Sequence, residues 1–286
     1  MDLFSDFSVD ASAQPTIFGK CASPRKSFDF DIKSCLERYW SIYENHAERN
    51  FLPGLMGAEF RQRWWEMYLW GRLTEMGFSL SQPKDGMPDI CIRYDKKVIY
   101  LECVSPTPGV GINKIKESPE EKIFDVPEDE IILRLTSAIE DKNKQAKGRK
   151  ERVGSSHYII AIDVSQLAPF GLDELSVIKS LFPVGDESIT ISNNGRFVSR
   201  RFSFRNSVKK KSGVEIETAR FLGNKEYSQI SGILFCDARF ENVAAGAKPE
   251  LCIIHNYHAA KYLSRKIFRG ERQWESNGYN ALYCRD

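Results

Sequence analysis

Apolar residues at Ile32, Leu36, Tyr39, Trp40 and Tyr43 recur three and four apart, which predicts an amphipathic helix ending near Asn50, ahead of Pro53 and Gly54. A second helix is predicted from about Ala58 to Met76, closed by Gly77. The pattern then changes to β-type runs, Met87 to Tyr94 and Lys97 to Val104, separated only by Asp95-Lys96, as in a hairpin. Pro106 and Pro108 forbid further pairing, and a long polar loop reaches about Asp125. Pro127 followed by Glu128, Asp129 and Glu130 opens a helix continuing to about Ala146, its acids near the positive dipole end. His157 to Val164, Ile230 to Cys236 and Leu251 to His255 are short and almost unalternated, as expected of strands buried on both faces. A helix near Leu172 to Leu181 precedes a stretch with its own alternation, residues 186–222, which reads as an inserted hairpin. Met1 to Phe30 has no period and reads as an irregular arm.

This order predicts an α/β protein with a mixed central β-sheet flanked by helices, in which residues 1–57 form an arm and helix packed on a domain spanning 58–286. Composition changes that picture little. The 286 residues carry 41 Lys+Arg and 39 Asp+Glu, so no bulk charge selects a polyanionic or polycationic partner. Seven cysteines without a CxxC pair suggest neither a disulfide framework nor a zinc ribbon and are expected to be reduced thiols. The first ten residues hold three Asp and no basic residue, unlike a signal peptide, and no membrane span is evident, so a cytoplasmic protein is expected.

Candidate chemistry lies in three acids, Glu66, Asp89 and Glu102. Strand alternation puts Val98, Tyr100, Glu102 and Val104 on one face, with Ile99, Leu101 and Cys103 on the other. A two-residue turn pairs residue 94 with 97, hence 89 with 102. Two carboxylates at paired positions repel unless a cation lies between them, and oxygen-only ligation suits Mg²⁺ or Mn²⁺. The bland reading has Asp89 capping a strand and Glu102 solvated at a sheet end. Glu66 shares a helical stripe with Leu69, Trp70 and Leu73, where an acid either pairs with Arg63 or Arg72 or serves a function.

Glu66 in Trp64-Trp65-Glu66-Met67-Tyr68-Leu69, Pro88-Asp89-Ile90 and Leu101-Glu102-Cys103-Val104 together resemble the signature of the PD-(D/E)XK nuclease superfamily, over about Phe60 to Gln145. The run is also similar to a bacterial subgroup of nuclease-like proteins that ends in a strand entering His-Asn, here His255-Asn256. The resemblance implies a restriction-endonuclease-like core and a metal-dependent endonuclease hydrolysing DNA phosphodiesters, with Asp89 and Glu102 as ligands of Mg²⁺ or Mn²⁺. It further implies a role in bacterial or phage defence and leaves a homodimer open.

Val104 departs from the signature, which usually has Lys there, and valine neither donates a hydrogen bond nor stabilises negative charge. Leu135, Ile139 and Lys142 share the sheet-facing stripe of the following helix, so Lys142 is the candidate for the missing base; the alternative is a lysine snorkelling at a helix C-terminus. A catalytically inactive nucleic-acid-binding or protein-interaction module is the rival reading. Arg196 to Lys211 is the most one-sided stretch, with Arg196, Arg200, Arg201, Arg205, Lys209, Lys210 and Lys211 and no acid. Such a segment can neutralise phosphates and stack bases on its phenylalanines, or Phe197, Phe202 and Phe204 can pack inward beneath solvated charges.

Overall fold

The computed structural model of the chain describes residue 3 and residues 27–82, 86–116, 125–168, 171–172, 174–276 and 282–285. The arm expected over Met1 to Phe30 lies outside the described residues, apart from Leu3 and the first turn of α1, and so does the middle of the loop expected before Asp125. The first helix, α1, spans Ser27–Tyr43, starting earlier and stopping sooner than its apolar period suggests. After it the chain turns into a short separate helix, α2 (Phe51–Met56), across the Pro53-Gly54 pair expected to break it. Pro53 sits in the first turn of α2, where its missing N–H forfeits no intrahelical bond.

α3 (Phe60–Glu75) is buried on every side from Trp64 to Leu73, because it lies between the sheet and α1. Trp65 Nε1 donates to Ala161 O at 3.0 Å and Trp64 Nε1 to Ala238 O at 2.8 Å, so both indoles fill core volume with their polar atoms satisfied. Arg72, also buried, donates to Tyr68 Oη at 2.9 Å and Pro249 O at 2.6 Å.

β1 (Ser79–Ser81), β2 (Ile90–Tyr94) and β3 (Lys97–Val104) form an antiparallel meander. The β2–β3 register runs from Tyr94 opposite Lys97 to Ile90 opposite Leu101, as the two-residue turn requires. Asp95 and Lys96 both adopt positive φ, the left-handed pair that matches strand twist in such a turn. α4 (Glu128–Gly148) and the single turn α5 (Lys150–Val153) carry the chain across to β4 (His157–Asp163), parallel to β3. After α6 (Glu174–Lys179), β9 (Gly232–Cys236) adds parallel to β4, and α7 (Phe240–Ala244) leads to β10 (Cys252–His255), antiparallel to β9. β11 (Arg272–Ser276) and β12 (Leu282–Arg285), absent from the sequence reading, extend the sheet.

Among the described residues the result is an eight-stranded mixed sheet, order β1-β2-β3-β4-β9-β10-β11-β12, with β4, β9 and β10 buried throughout. One face packs α1, α2, α3 and α7; the other packs α4 and α6. Ile99, Leu101 and Cys103 face the first layer, whereas Tyr100 and Val104 face the second, which is the alternation expected. The insert begins at Val184 and forms two separate ribbons, β5 (Val184–Ile191) with β6 (Phe197–Phe204), and β7 (Ser207–Lys209) with β8 (Glu215–Glu217). No helix among the described residues is long and apolar enough to cross a membrane.

Candidate active site at the carboxyl end of β3

Three strands end together here, pinned by the fully buried Asp163. Its carboxylate accepts from Ser105 Oγ (2.9 Å), Ser165 N and Oγ (3.0 and 2.7 Å) and Ala238 N (3.2 Å), tying the ends of β3, β4 and β9. Every bond it makes is local scaffolding, so this acid holds the floor of the site rather than facing a ligand.

Above it, Asp89 lies one residue beyond the last β2–β3 pair and is half-buried. Its Oδ2 accepts from Cys103 N at 2.6 Å, while Oδ1 accepts nothing from the described residues. Burial, followed by the charges of Glu102 and Glu66, pushes the Asp89 carboxyl up to about 8, against the opposing pull of the Cys103 N–H and Lys142. These three acids therefore feel one another across the sheet edge, although they come from two strands and a helix on opposite layers.

Glu66 reaches the same place from α3. Its Oε1 accepts from Gln62 Nε2 (2.8 Å) and Oε2 from Arg63 Nη1 (3.1 Å). Burial raises its carboxyl pKa, with Arg63 and then Gln62 pulling the other way. Of the two arginines named as partners from the sequence, Arg63 is used. Gln62 does more than pair: its Nε2 also reaches Cys103 O (3.2 Å) and its Oε1 accepts from Ser105 N (2.9 Å), clamping α3 to the end of β3.

Glu102 points to the other layer and is almost fully buried. Lys142 Nζ donates to its Oε1 at 2.9 Å, so the lysine chosen from the helical stripe does meet this acid. Arg149, at the end of α4, donates to Oε2, and Tyr158 Oη lies 3.3 Å from the same oxygen. Neither Arg149 nor Tyr158 was singled out from the sequence. Arg149 falls seven residues after Lys142 on the same stripe, a signal that was present, whereas Tyr158 needed the β3–β4 pairing, which sets it opposite Tyr100. Val104 packs among the apolar side chains of the α4 layer and offers no polar atom. Cys103 is enclosed, and burial lifts its thiol well above the ordinary range, which removes it as a nucleophile.

The donor set fits a hard divalent cation in chemistry: carboxylate oxygens only, with the uncommitted Asp89 Oδ1 beside two further acids. Among the described residues, however, no group of three or more His, Cys, Asp or Glu side chains is gathered closely enough to hold a metal ion, and both Glu102 oxygens carry cationic donors. His255 is structural, its Nε2 within 2.8 Å of Gln273 Oε1.

The basic insert divides in two. Arg205 Nη2 pairs with Asp129 (2.5 Å) and Lys211 Nζ with Glu130 (2.6 Å), so these two charges dock the insert on the first turn of α4. Lys209 stands opposite Glu215 in the β7–β8 ribbon, and Lys210 is half-buried. Arg196 and Arg201 are exposed without an acidic partner among the described residues, and the Arg200 side chain lies outside the described part of the structure. Inward packing of the phenylalanines is not observed: Phe197 is 66% exposed, Phe202 39% and Phe204 75%.

No protein-family model matches the chain, and no curated protein or solved structure matches it.

Proposed function

We propose that the chain is a divalent-metal-dependent nuclease hydrolysing DNA phosphodiesters at the carboxyl end of β3. The observation that carries this reading is the meeting of Lys142 Nζ with Glu102 at 2.9 Å, beside Asp89, whose proton affinity is raised by burial and then by two neighbouring acids. It accords with the restriction-endonuclease-like resemblance of the Glu66, Pro88-Asp89 and Glu102 motifs, and it supplies from a helix the base that Val104 lacks.

Asp89 and Glu102 would hold Mg²⁺ or Mn²⁺, which when bound supplies Lewis-acid stabilisation of the phosphoryl charge. Lys142 would orient the attacking water and offset the developing negative charge, and Glu66, held by Gln62 and Arg63, would add negative potential favouring cation binding. Arg149 and Tyr158 keep the Glu102 carboxylate oriented when Lys142 turns toward substrate.

A second reading has one specific observation in its favour. Two cations and a phenol already satisfy Glu102, as in a structural ion-pair cluster, and a protein so built would bind nucleic acid without cutting it. Supercoiled plasmid and labelled single strands incubated with Mg²⁺ or Mn²⁺ separate the two. The nuclease reading expects cleavage that EDTA abolishes and Asp89→Asn removes; DNA binding without cleavage under any divalent ion leaves the binding module.

A further inference from the structure

We infer that the β5–β6 ribbon is a stacking platform for unpaired bases, so that the nucleic acid engaged by this protein carries a single-stranded or distorted segment. This deepens the nucleic-acid part of the proposed function and does not depend on cleavage.

Among the described residues the ribbon pairs with no other strand, and its base meets α6 through the Lys179–Asp186 ion pair. Ile191 sits opposite Phe197 in the ladder, and both are more than half exposed, beside Val198 at the bulged end of β6. Phe204 is the most exposed phenylalanine of the three, at the base of the ribbon opposite Val184. A two-stranded sheet gains little from leaving large apolar groups in water, so a surface of this kind marks something that covers it.

Charge chooses among possible covers. Arg196 adjoins the Phe197 ring position at the tip, Arg201 adds positive charge on the ribbon's other face opposite Ser188, and the stretch 196–211 contains no acid, the ribbon's Asp186 and Glu187 lying toward its base in β5. A second copy of the same ribbon would bring like charges together. A polyanion with exposed π-faces satisfies both halves of the surface, the rings by stacking and the guanidinium groups by phosphate contact.

Position agrees. Arg205 and Lys211 fix the insert to the first turn of α4, and Lys211 N donates to Asn113 Oδ1 in the loop after β3. Arg134 Nε, a turn and a half into α4, donates to Thr107 O just past β3, whereas Lys142 reaches back to Glu102 within the strand. The start of α4 therefore overhangs the carboxyl end of β3. At about 1.5 Å per residue, the insert is docked about 20 Å along the helix from Lys142, at the same end of the sheet as the acids.

The test is fluorescence anisotropy in EDTA, so that cleavage cannot intervene, with a labelled single strand, the matching duplex and a duplex carrying an internal bulge. The expected result is tighter binding of the single strand and bulge than of the plain duplex. Phe197→Ala with Phe204→Ala should weaken single-strand binding on the order of tenfold or more per ring, while leaving weak duplex binding almost unchanged. Arg196→Ala with Arg201→Ala should weaken all three probes and lower the salt slope by roughly 0.7 per lost single-strand phosphate contact. Equal affinity for single strand and duplex, or insensitivity to the phenylalanine changes, overturns the inference even if the protein cuts DNA. So does binding to phosphatidylserine vesicles without binding to any oligonucleotide, or a monomer–dimer equilibrium that the same phenylalanine changes abolish.

Discussion

Lys142→Ala is expected to lower metal-dependent cleavage on the order of 10²- to 10⁴-fold while leaving DNA affinity nearly unchanged, the range lost with a general acid–base or orienting group. Its ammonium is the only lysine donor on Glu102 among the described residues, and Val104, two residues along the same face, has nothing to substitute for it. Arg149 and Tyr158 still hold Glu102 in the variant, so the buried carboxylate is not left uncompensated and the protein should fold. Lys142→Met, which keeps the apolar stem, should be equally inactive. Adding Val104→Lys to Lys142→Ala should restore part of the rate, because residue 104 shares the Glu102 face of β3. Single-turnover cleavage measures all three; a Lys142→Ala protein that cuts as fast as the parent removes lysine from the reaction.

Trp65→Ala should cost about 3–5 kcal/mol, a large part of the roughly 5–15 kcal/mol that stabilises a typical domain. Trp65 is fully buried between α3 and the sheet, and its loss also leaves Ala161 O, inside β4, without its donor. Urea unfolding should show a much lower midpoint with little change in slope. Phe197→Ala, equally apolar but exposed on the ribbon, should stay within about 0.5 kcal/mol of the parent and serves as the internal comparison. Similar losses at both positions would contradict the packing described.

What the sequence made legible follows from how locally each feature is specified. The hairpin register needed only a two-residue turn and alternation, and the structure keeps it from Tyr94–Lys97 to Ile90–Leu101. The meeting of Lys142 with Glu102 was also legible, because Leu135 and Ile139 on the same stripe are buried against the sheet and carry the lysine there. The mixed sheet between helical layers followed from the unalternated runs. Gln62 was not legible, since its two bonds to the strand, with Cys103 O and Ser105 N, exist only once α3 meets the end of β3. β1 has only three residues, β11 and β12 carry charged residues in place of the apolar runs of β9 and β10, and α2 carries a Pro-Gly pair that reads as a break unless its position in the first turn is known. The phenylalanines of β6 read as an inward-packing set, yet the sequence pattern cannot tell that they stand exposed.

The claim on which the account turns is that Asp89 and Glu102 share a divalent cation. Calorimetric titration of Mn²⁺ into the parent and Asp89→Asn proteins, at roughly pH 6.5 and pH 8.5, tests it most directly. Burial and, after it, the neighbouring acids raise the Asp89 carboxyl to about 8 and favour its protonated form, so at the lower pH the ion must displace a proton. The account predicts one ion per chain, bound more tightly at the higher pH, with proton release at the lower pH and loss of the site in Asp89→Asn. Equal Mn²⁺ binding by the two proteins, or none by the parent at either pH, would contradict it.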